Sequence, residues 1–284
     1  MQRVRVWRQQ LQPDIGPRMT IRMYVESAGL LGPGLAGWAQ SRAVLTGAAP
    51  HVLGEVRLTA HGALPPVERR RVCESVKLAL TVGMEAVAAT GRSPDGLATI
   101  FASSAGDGSV IHEICESLAR PEREVSPTRF HNSVHNAPAG YWSIATRSHA
   151  PSMSLCAYEW SFAAGLIEAG SELATGSEAL LLVSYDLPYP PPLSSACPIT
   201  GVLGAALLLV RERTAACLAQ LQLRLEVAPR GATRLQVPSL EALRAGNATG
   251  RALPLLHALS ASRAAEVVLD YLGTGSLAVE VTPC

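Results

Sequence analysis

The sequence predicts an α/β protein in which helices cover both faces of a sheet, an α-β-α sandwich. Three observations carry that expectation. Segments that read as strands alternate along the chain with segments that read as helices. Two of the strands, Glu178 to Asp186 ("EALLLVSYD") and Gly201 to Val210 ("GVLGAALLLV"), are almost continuously apolar, the pattern of strands buried on both sides. Of 284 residues, 48% are apolar and 17% charged, which suits a large buried core. A formal net charge of +1 leaves no electrostatic footprint for nucleic acid or an anionic membrane. The longest apolar run, Gly201 to Val210, is shorter than the roughly 20 residues that span a bilayer, so no membrane span is expected.

The elements follow in order. Residues 1 to 18 are basic and lack the apolar stretch of a signal peptide. A second methionine, Met19, stands just before an apolar segment. The expectation is therefore a disordered lead or a mis-assigned start over 1–18 and a single domain over 19–284. Met23 to Leu31 reads as a strand running into a Gly-Pro turn. Leu64 to Gly91 reads as one long helix. Pro66 lies near its start, Val72, Val76, Leu80 and 82–87 form its apolar face, and Gly91 is its stop. "LATIFASSAGDGS" reads as a buried strand breaking into a small-residue loop, Ser103 to Ser109, and "SVIHEICESLA" as the next helix. "RFHNSVHNAPAGYWSIATRSHA" reads as a loop and then a helix through Tyr141 to Thr146. "HAPSMSLCAYEWSFAAGLIEAG" gives a short buried strand, a tight turn and a helix rich in small residues. The prolines of "LPYPPPLSSACP" exclude a helix or central strand. "QLQLRLEV" alternates strictly, as a half-buried strand does. Helices are expected near "SLEALRAG" and "ASRAAEVVLDYLG", and a last strand at "LAVEV".

Chemistry is expected at the turn after "SMSL". A strand that ends sharply above a helix N-terminus can present a nucleophile, because the partial positive charge favours a thiolate and backbone N–H groups can hold an oxyanion. Cys156 is the visible thiol there, but it follows Leu155 directly and reads as a strand residue, a buried small hydrophobe. The six cysteines, Cys73, Cys115, Cys156, Cys197, Cys217 and Cys284, form no CxxC pairs, which fits reduced thiols in a cytoplasmic protein. His131 and His135 have i,i+4 spacing but no evident third ligand, and a loop there argues against a metal site. Ser103 to Ser109 lacks the lysine of a phosphate-binding loop and reads as a strand-end loop near the mouth of a pocket. No metal and no cofactor is expected.

The ordered set from Asn136 to Asp186 resembles the N-terminal half of the β-ketoacyl synthases, condensing enzymes of the thiolase-like fold. Asn136, Ala139 and Gly140 match an Asn-x-x-Ala-Gly segment. Pro151 and Ser152 match a Gly-Pro-Ser, Met153 to Leu155 the strand, and Gly176 the start of the second buried strand. The best match spans 19–210, with 211–284 divergent. Counting on from Pro151 and Ser152, Cys156 takes the place of an Asp, Ala157 of a Thr, Tyr158 of an Ala, and Glu159 of the nucleophilic Cys. A carboxylate there cannot hold an acyl chain as a thioester. At a helix N-terminus it can equally serve as a dipole partner. The resemblance also implies two catalytic histidines in a second half. After Val210 the chain has only His257, in neither of the family's segments, so it is truncated relative to the two-half enzymes.

The resemblance thus implies a chain length factor of the aryl polyene type. Such a subunit has no nucleophile, pairs with an active β-ketoacyl-ACP synthase as a heterodimer, works with an acyl carrier protein and helps shape the acyl tunnel. Tyr158, Glu159, Trp160 and Phe162, with His135 and Asn136, are the expected tunnel and interface residues; the alternative for Trp160 and Phe162 is ordinary core. A second reading is a stand-alone small acyltransferase or decarboxylase using Cys156 or Glu159. A third is a structural homodimer that binds acyl carrier protein.

Overall fold

The two continuously apolar runs lie side by side in the middle of one sheet. The structure is a computed structural model and describes residues 20–284, so the expected lead over 1–18 and the start at Met19 lie outside the described residues. In chain order the elements are β1 (Thr20–Gly32), β2 (Leu35–Ala36), α1 (Trp38–Leu45), α2 (Pro66–Arg69), α3 (Glu74–Ala88), β3 (Ala98–Ala102), α4 (Gly108–Ala119), α5 (Pro127–Asn132), α6 (Ala137–Thr146) and β4 (Ser152–Leu155). They continue as α7 (Ser161–Thr175), β5 (Ala179–Asp186), α8 (Leu193–Ala196), β6 (Leu203–Val210), β7 (Ala219–Glu226), α9 (Pro238–Gly246), α10 (Leu253–Ala261), β8 (Ala265–Tyr271) and β9 (Gly275–Pro283). The sheet order is β4-β3-β5-β6-β1-β7-β9-β8, with β2 paired to β1. Strands β3, β4 and β5 run parallel, and the other neighbours are antiparallel. The ends of β3, β4 and β5 therefore open onto the same edge of the sheet.

Alternation along the central strands separates two cores. Leu180 and Leu182 face one side, with Phe162, Leu166 and Leu173 of α7 and Leu253, Leu255 and Leu256 of α10. Leu181, Val183 and Tyr185 face the other, with Val76, Leu80 and Val82 of α3 and Trp142 of α6. Each such side chain stabilises the fold by about 1.5–3 kcal/mol on burial, so the sheet needs both helical layers, and the α-β-α sandwich follows. α3 lies so close to β1 that a Cβ on Gly29 would sit 2.0 Å from the Val82 carbonyl oxygen. Glu85 of α3 then accepts from Leu30 N (2.9 Å) and from Trp38 N, the first amide of α1. One carboxylate thus joins the helix, the strand and the hairpin. Glu26, at a bulge in β1, accepts from Arg92 on both oxygens (2.6 and 2.9 Å) and from Thr214 Oγ1 (2.6 Å). That Arg92 pairing holds the Glu26 pKa below the usual range.

Several expectations need correction. The long helix over 64–91 is two helices, α2 and α3, broken at Arg70 to Cys73. The chain restarts there because Asp107 offers its carboxylate to Ser75 N (3.3 Å), satisfying an amide at the new N-terminus. The helix ends at Ala88, and Gly91 takes the left-handed φ of +70° just beyond it. The loop expected around His131 contains α5, led by Pro127 at its first position. A helical turn, α8, follows the prolines directly. The helix expected near "ASRAAEVVLDYLG" is instead the end of α10 followed by β8. Ser262 stops α10 with φ of +48°, and Val267, Val268 and Leu269 pair with β9. The short strand before the elbow is β4, but it is an edge strand, exposed to half-exposed rather than buried.

Candidate functional site

The candidate site lies at the sheet edge where β3, β4 and β5 end. After Leu155 the chain leaves β4, makes a short 3-10 turn over Tyr158–Trp160 and enters α7. Tyr158 has φ of +49°, a left-handed conformation that costs a non-glycine residue about 1–2 kcal/mol. The turn is held by Ser161, whose Oγ accepts from Ala157 N (3.0 Å) and faces the carbonyls of Tyr158 (2.7 Å) and Ser103 (3.1 Å). Backbone strain maintained by surrounding bonds is common where a turn has a task beyond connection.

Glu159 stands at the tip of this turn with its side chain 68% exposed. It pairs with Arg251 (2.9 Å), whose other terminal nitrogen pairs with Asp270 (2.9 Å). The site thus holds an ion-pair chain, exposed at Glu159 and largely buried at Arg251, just before the N-terminus of α7, where the dipole also favours a negative group. Tyr158 is equally exposed and Trp160 half-buried against the Gly273 turn between β8 and β9. For Phe162 the structure selects the alternative, ordinary core. It is 1% exposed and belongs to the core under the sheet, because the first turn of α7 points it inward beside Ala163 and Leu166.

Cys156 departs from its expected place. It lies one residue past β4, and it is exposed, not a buried hydrophobe. Its thiol donates to Ser104 O (2.7 Å). His135, half-buried in the turn before α6, puts Nε2 3.0 Å from Leu155 O, the carbonyl of the residue before Cys156. Asn136 is exposed and caps α6 through its backbone, without a side-chain bond. His131 goes elsewhere, edge-on to the Tyr141 ring at 5.7 Å, so the two histidines do not converge. No cluster of metal-ligating side chains occurs among the described residues.

Sequence reasoning missed the buried centre behind the turn. Asp186, the last residue of β5, is 1% exposed. One oxygen accepts from Ser104 N (2.8 Å), Ser104 Oγ (2.6 Å) and Ser103 Oγ (3.4 Å). The other accepts from Thr249 N (3.0 Å) and Thr249 Oγ1 (2.8 Å). Burial pushes its pKa up, and the Ser104 and Thr249 bonds pull against that. Tyr189 lies 3.3 Å from Ser104 Oγ, and burial raises its pKa to about 12. Burial, with the nearby charges of Asp186 and Glu159, also raises Cys197. The available signal was a carboxylate ending an otherwise apolar strand, next to the small-residue loop from Ser103. Arg251 had no signal, because it reaches Glu159 only through the fold.

The sequence matches the family described as beta-ketoacyl synthase, N-terminal domain, over residues 36–268. The chain belongs to that family. Comparison with curated proteins finds no match. Among solved structures, the chain is similar to one described as the ketosynthase ApeO in complex with its chain length factor ApeC from Xenorhabdus doucetiae. The TM-score is 0.69 at 19% identity, covering 92% of this chain and 99% of that one. The ishigamide ketosynthase/chain length factor gives 0.71 at 13%, covering 93% and 99%. AntDE:AntF, a type II polyketide-synthase acyl-carrier protein in complex with its ketosynthase bound to the hexaketide, gives 0.73 at 12%, covering 94% and 100%. These likenesses establish the thiolase-like ketosynthase fold, and the chain spans almost the whole length of each of these solved chains.

Proposed function

We propose that this chain is a chain-length-factor-like subunit. It pairs with an active β-ketoacyl-ACP synthase and helps wall the acyl tunnel in fatty-acid or polyketide-type elongation, such as aryl polyene synthesis. The observation that carries this reading is the turn after β4. The position matching the nucleophile holds Glu159, solvated and tied to Arg251, and a carboxylate cannot carry the acyl thioester. The chemistry then has to come from a partner that supplies the thiol and histidines.

The surroundings of the turn support a partner. β4 is an edge strand, and its outer edge has no strand partner among the described residues. Met153 is 40% exposed on it, and it runs straight into exposed Tyr158. An open edge with adjacent aromatic side chains is a template for pairing and anchoring another chain. Tyr158, Glu159 and Trp160, with His135 and Asn136, are the interface and tunnel residues of the proposal; Phe162 is removed from it. The solved ketosynthase–chain length factor complexes with this fold, and the one containing an acyl-carrier protein, favour the same partners here. We read 19–284 as one domain, since β7, β9 and β8 extend the same sheet. Cytoplasmic residence is part of the reading and rests on six free cysteines. No helix among the described residues is long and apolar enough to cross a membrane.

The test is co-expression with an active β-ketoacyl-ACP synthase from the same genome. A 1:1 complex is expected, with product formed only by the pair, and Met153→Arg should abolish the complex while leaving the fold intact. A stable homodimer that ignores the synthase overturns the proposal. A second reading, a stand-alone acyltransferase, is favoured by one observation: Cys156 is exposed, with His135 bonded to the adjacent carbonyl. Incubation with an acyl thioester decides it, because a nucleophilic Cys156 would retain the acyl group and Cys156→Ala would not.

A further inference from the structure

We propose that Cys217 and Cys284 form a dithiol–disulfide site that latches the end of β9 to the turn before β7. Cys284 follows β9 directly, and its amide donates to Leu218 O (3.2 Å), extending the ladder that pairs Ala219 with Pro283. Cys217 is therefore offset by one residue from the position opposite Cys284. A strand spacing of about 4.8 Å and a rise of about 3.4 Å put such neighbours about 6 Å apart, Cα to Cα. A disulfide spans roughly 4.4–6.8 Å.

The side chains converge as well. Both cysteines line one surface recess with Arg213, Thr214 and Ala215. Cys217 is turned into it by a tight bend: its amide donates to Thr214 O (3.3 Å) and its sulfur accepts from Thr214 N (3.2 Å). Burial raises the Cys284 pKa, with the neighbouring Cys217 as the next cause and Arg213 acting in the opposite sense. Cys284 is exposed and Cys217 half-buried, so a small reagent reaches the outer thiol first and the inner one resolves.

The reaction is exchange with a low-molecular-weight disulfide such as oxidised glutathione. The Cys284 thiolate attacks one reagent sulfur, forming a mixed disulfide and releasing one glutathione thiolate. Cys217, deprotonated, then attacks the Cys284 sulfur and releases the second. Two protein thiols are oxidised by two electrons, and one glutathione disulfide is reduced to two thiols. The closed bond would tie the last strand to the Thr214 turn, which also holds Glu26 in the β1 bulge. Such a pair stays reduced at a low glutathione potential and closes as the potential rises.

The test treats the full chain with oxidised glutathione, blocks free thiols and maps peptides by mass spectrometry without reduction. The expected result is a peptide linked through Cys217 and Cys284. A Tm rise of roughly 5–10 °C should accompany it and reverse with dithiothreitol. Cys217→Ser and Cys284→Ser should each remove both signals. Glutathione left on Cys284 as a stable mixed disulfide, a link between any other pair, or a correct link with no change in Tm would overturn the proposal. The readouts are independent of any synthase partner.

Discussion

Asp186 and Glu159 are carboxylates at the same edge of the sheet, built in opposite ways. Asp186 is buried and takes five donors from Ser103, Ser104 and Thr249. Glu159 is 68% exposed and takes one donor, Arg251. Removing the first would leave two buried backbone amides without an acceptor, whereas removing the second returns Arg251 to Asp270 and water. The contrast separates a brace from a presented group. Asp186 fixes the Ser103 loop and the Thr249 turn behind the elbow. Glu159 occupies the elbow at almost no structural cost, so its identity is free to be set by what the site does.

The largest expected effect breaks the brace. Asp186→Ala should lose about 3–5 kcal/mol in urea denaturation, from orphaned donors and a void. A loss under about 1 kcal/mol would mean that Asp186 is not a brace. Next, Phe162→Ala should cost about 3 kcal/mol as a core truncation, placing Phe162 with Asp186 rather than with the presented group. Glu26→Gln comes third, at about 2 kcal/mol, since it weakens a buried pair with Arg92.

Glu26 also sets a pH test. Its folded pKa lies below its unfolded value, so its stabilisation is complete above about pH 4.3 and is lost as pH falls through the folded value. Asp186 works in the opposite sense. Its folded pKa is raised, so the folded state binds the proton more tightly, and its contribution falls as pH rises from about 3.9 through the folded value. Denaturation between about pH 3 and 7 should therefore show a shallower acid loss in Glu26→Gln and a steeper one in Asp186→Asn.

The smallest stability effects belong to the presented side. Glu159→Gln and Tyr158→Ala should each change folding stability by under about 0.5 kcal/mol. Tyr158→Ala should nonetheless weaken synthase pairing at least about tenfold if Tyr158 is an anchor. A large stability loss from Glu159→Gln would erase the contrast with Asp186.

Much of the frame was legible. "EALLLVSYD" and "GVLGAALLLV" read as central strands because a strand buried on both faces is apolar at every position. "QLQLRLEV" read as a half-buried one because its polar residues fall on one side. The break in the helix over 64–91 was not legible, since its cause is Asp107, far along the chain. The swap of α10 and β8 near "ASRAAEVVLDYLG" had the same origin: a short apolar run suits either state until β9 pairs with it. Cys156 was misplaced, and Phe162 left between core and tunnel wall, for a related reason. Which way a turn points its side chains depends on Ser161 and Ser103, not on spacing.

The sequence by itself determined the layered α/β architecture and the family, because those follow from periodicity and residue identity along the chain. Only the tertiary structure decided that Arg251 holds Glu159, that Asp186 braces the elbow, that β4 is an open edge and that Cys217 meets Cys284. Each depends on groups distant in sequence meeting in space, and hydrogen bonds and ion pairs of that kind leave no local pattern in the chain.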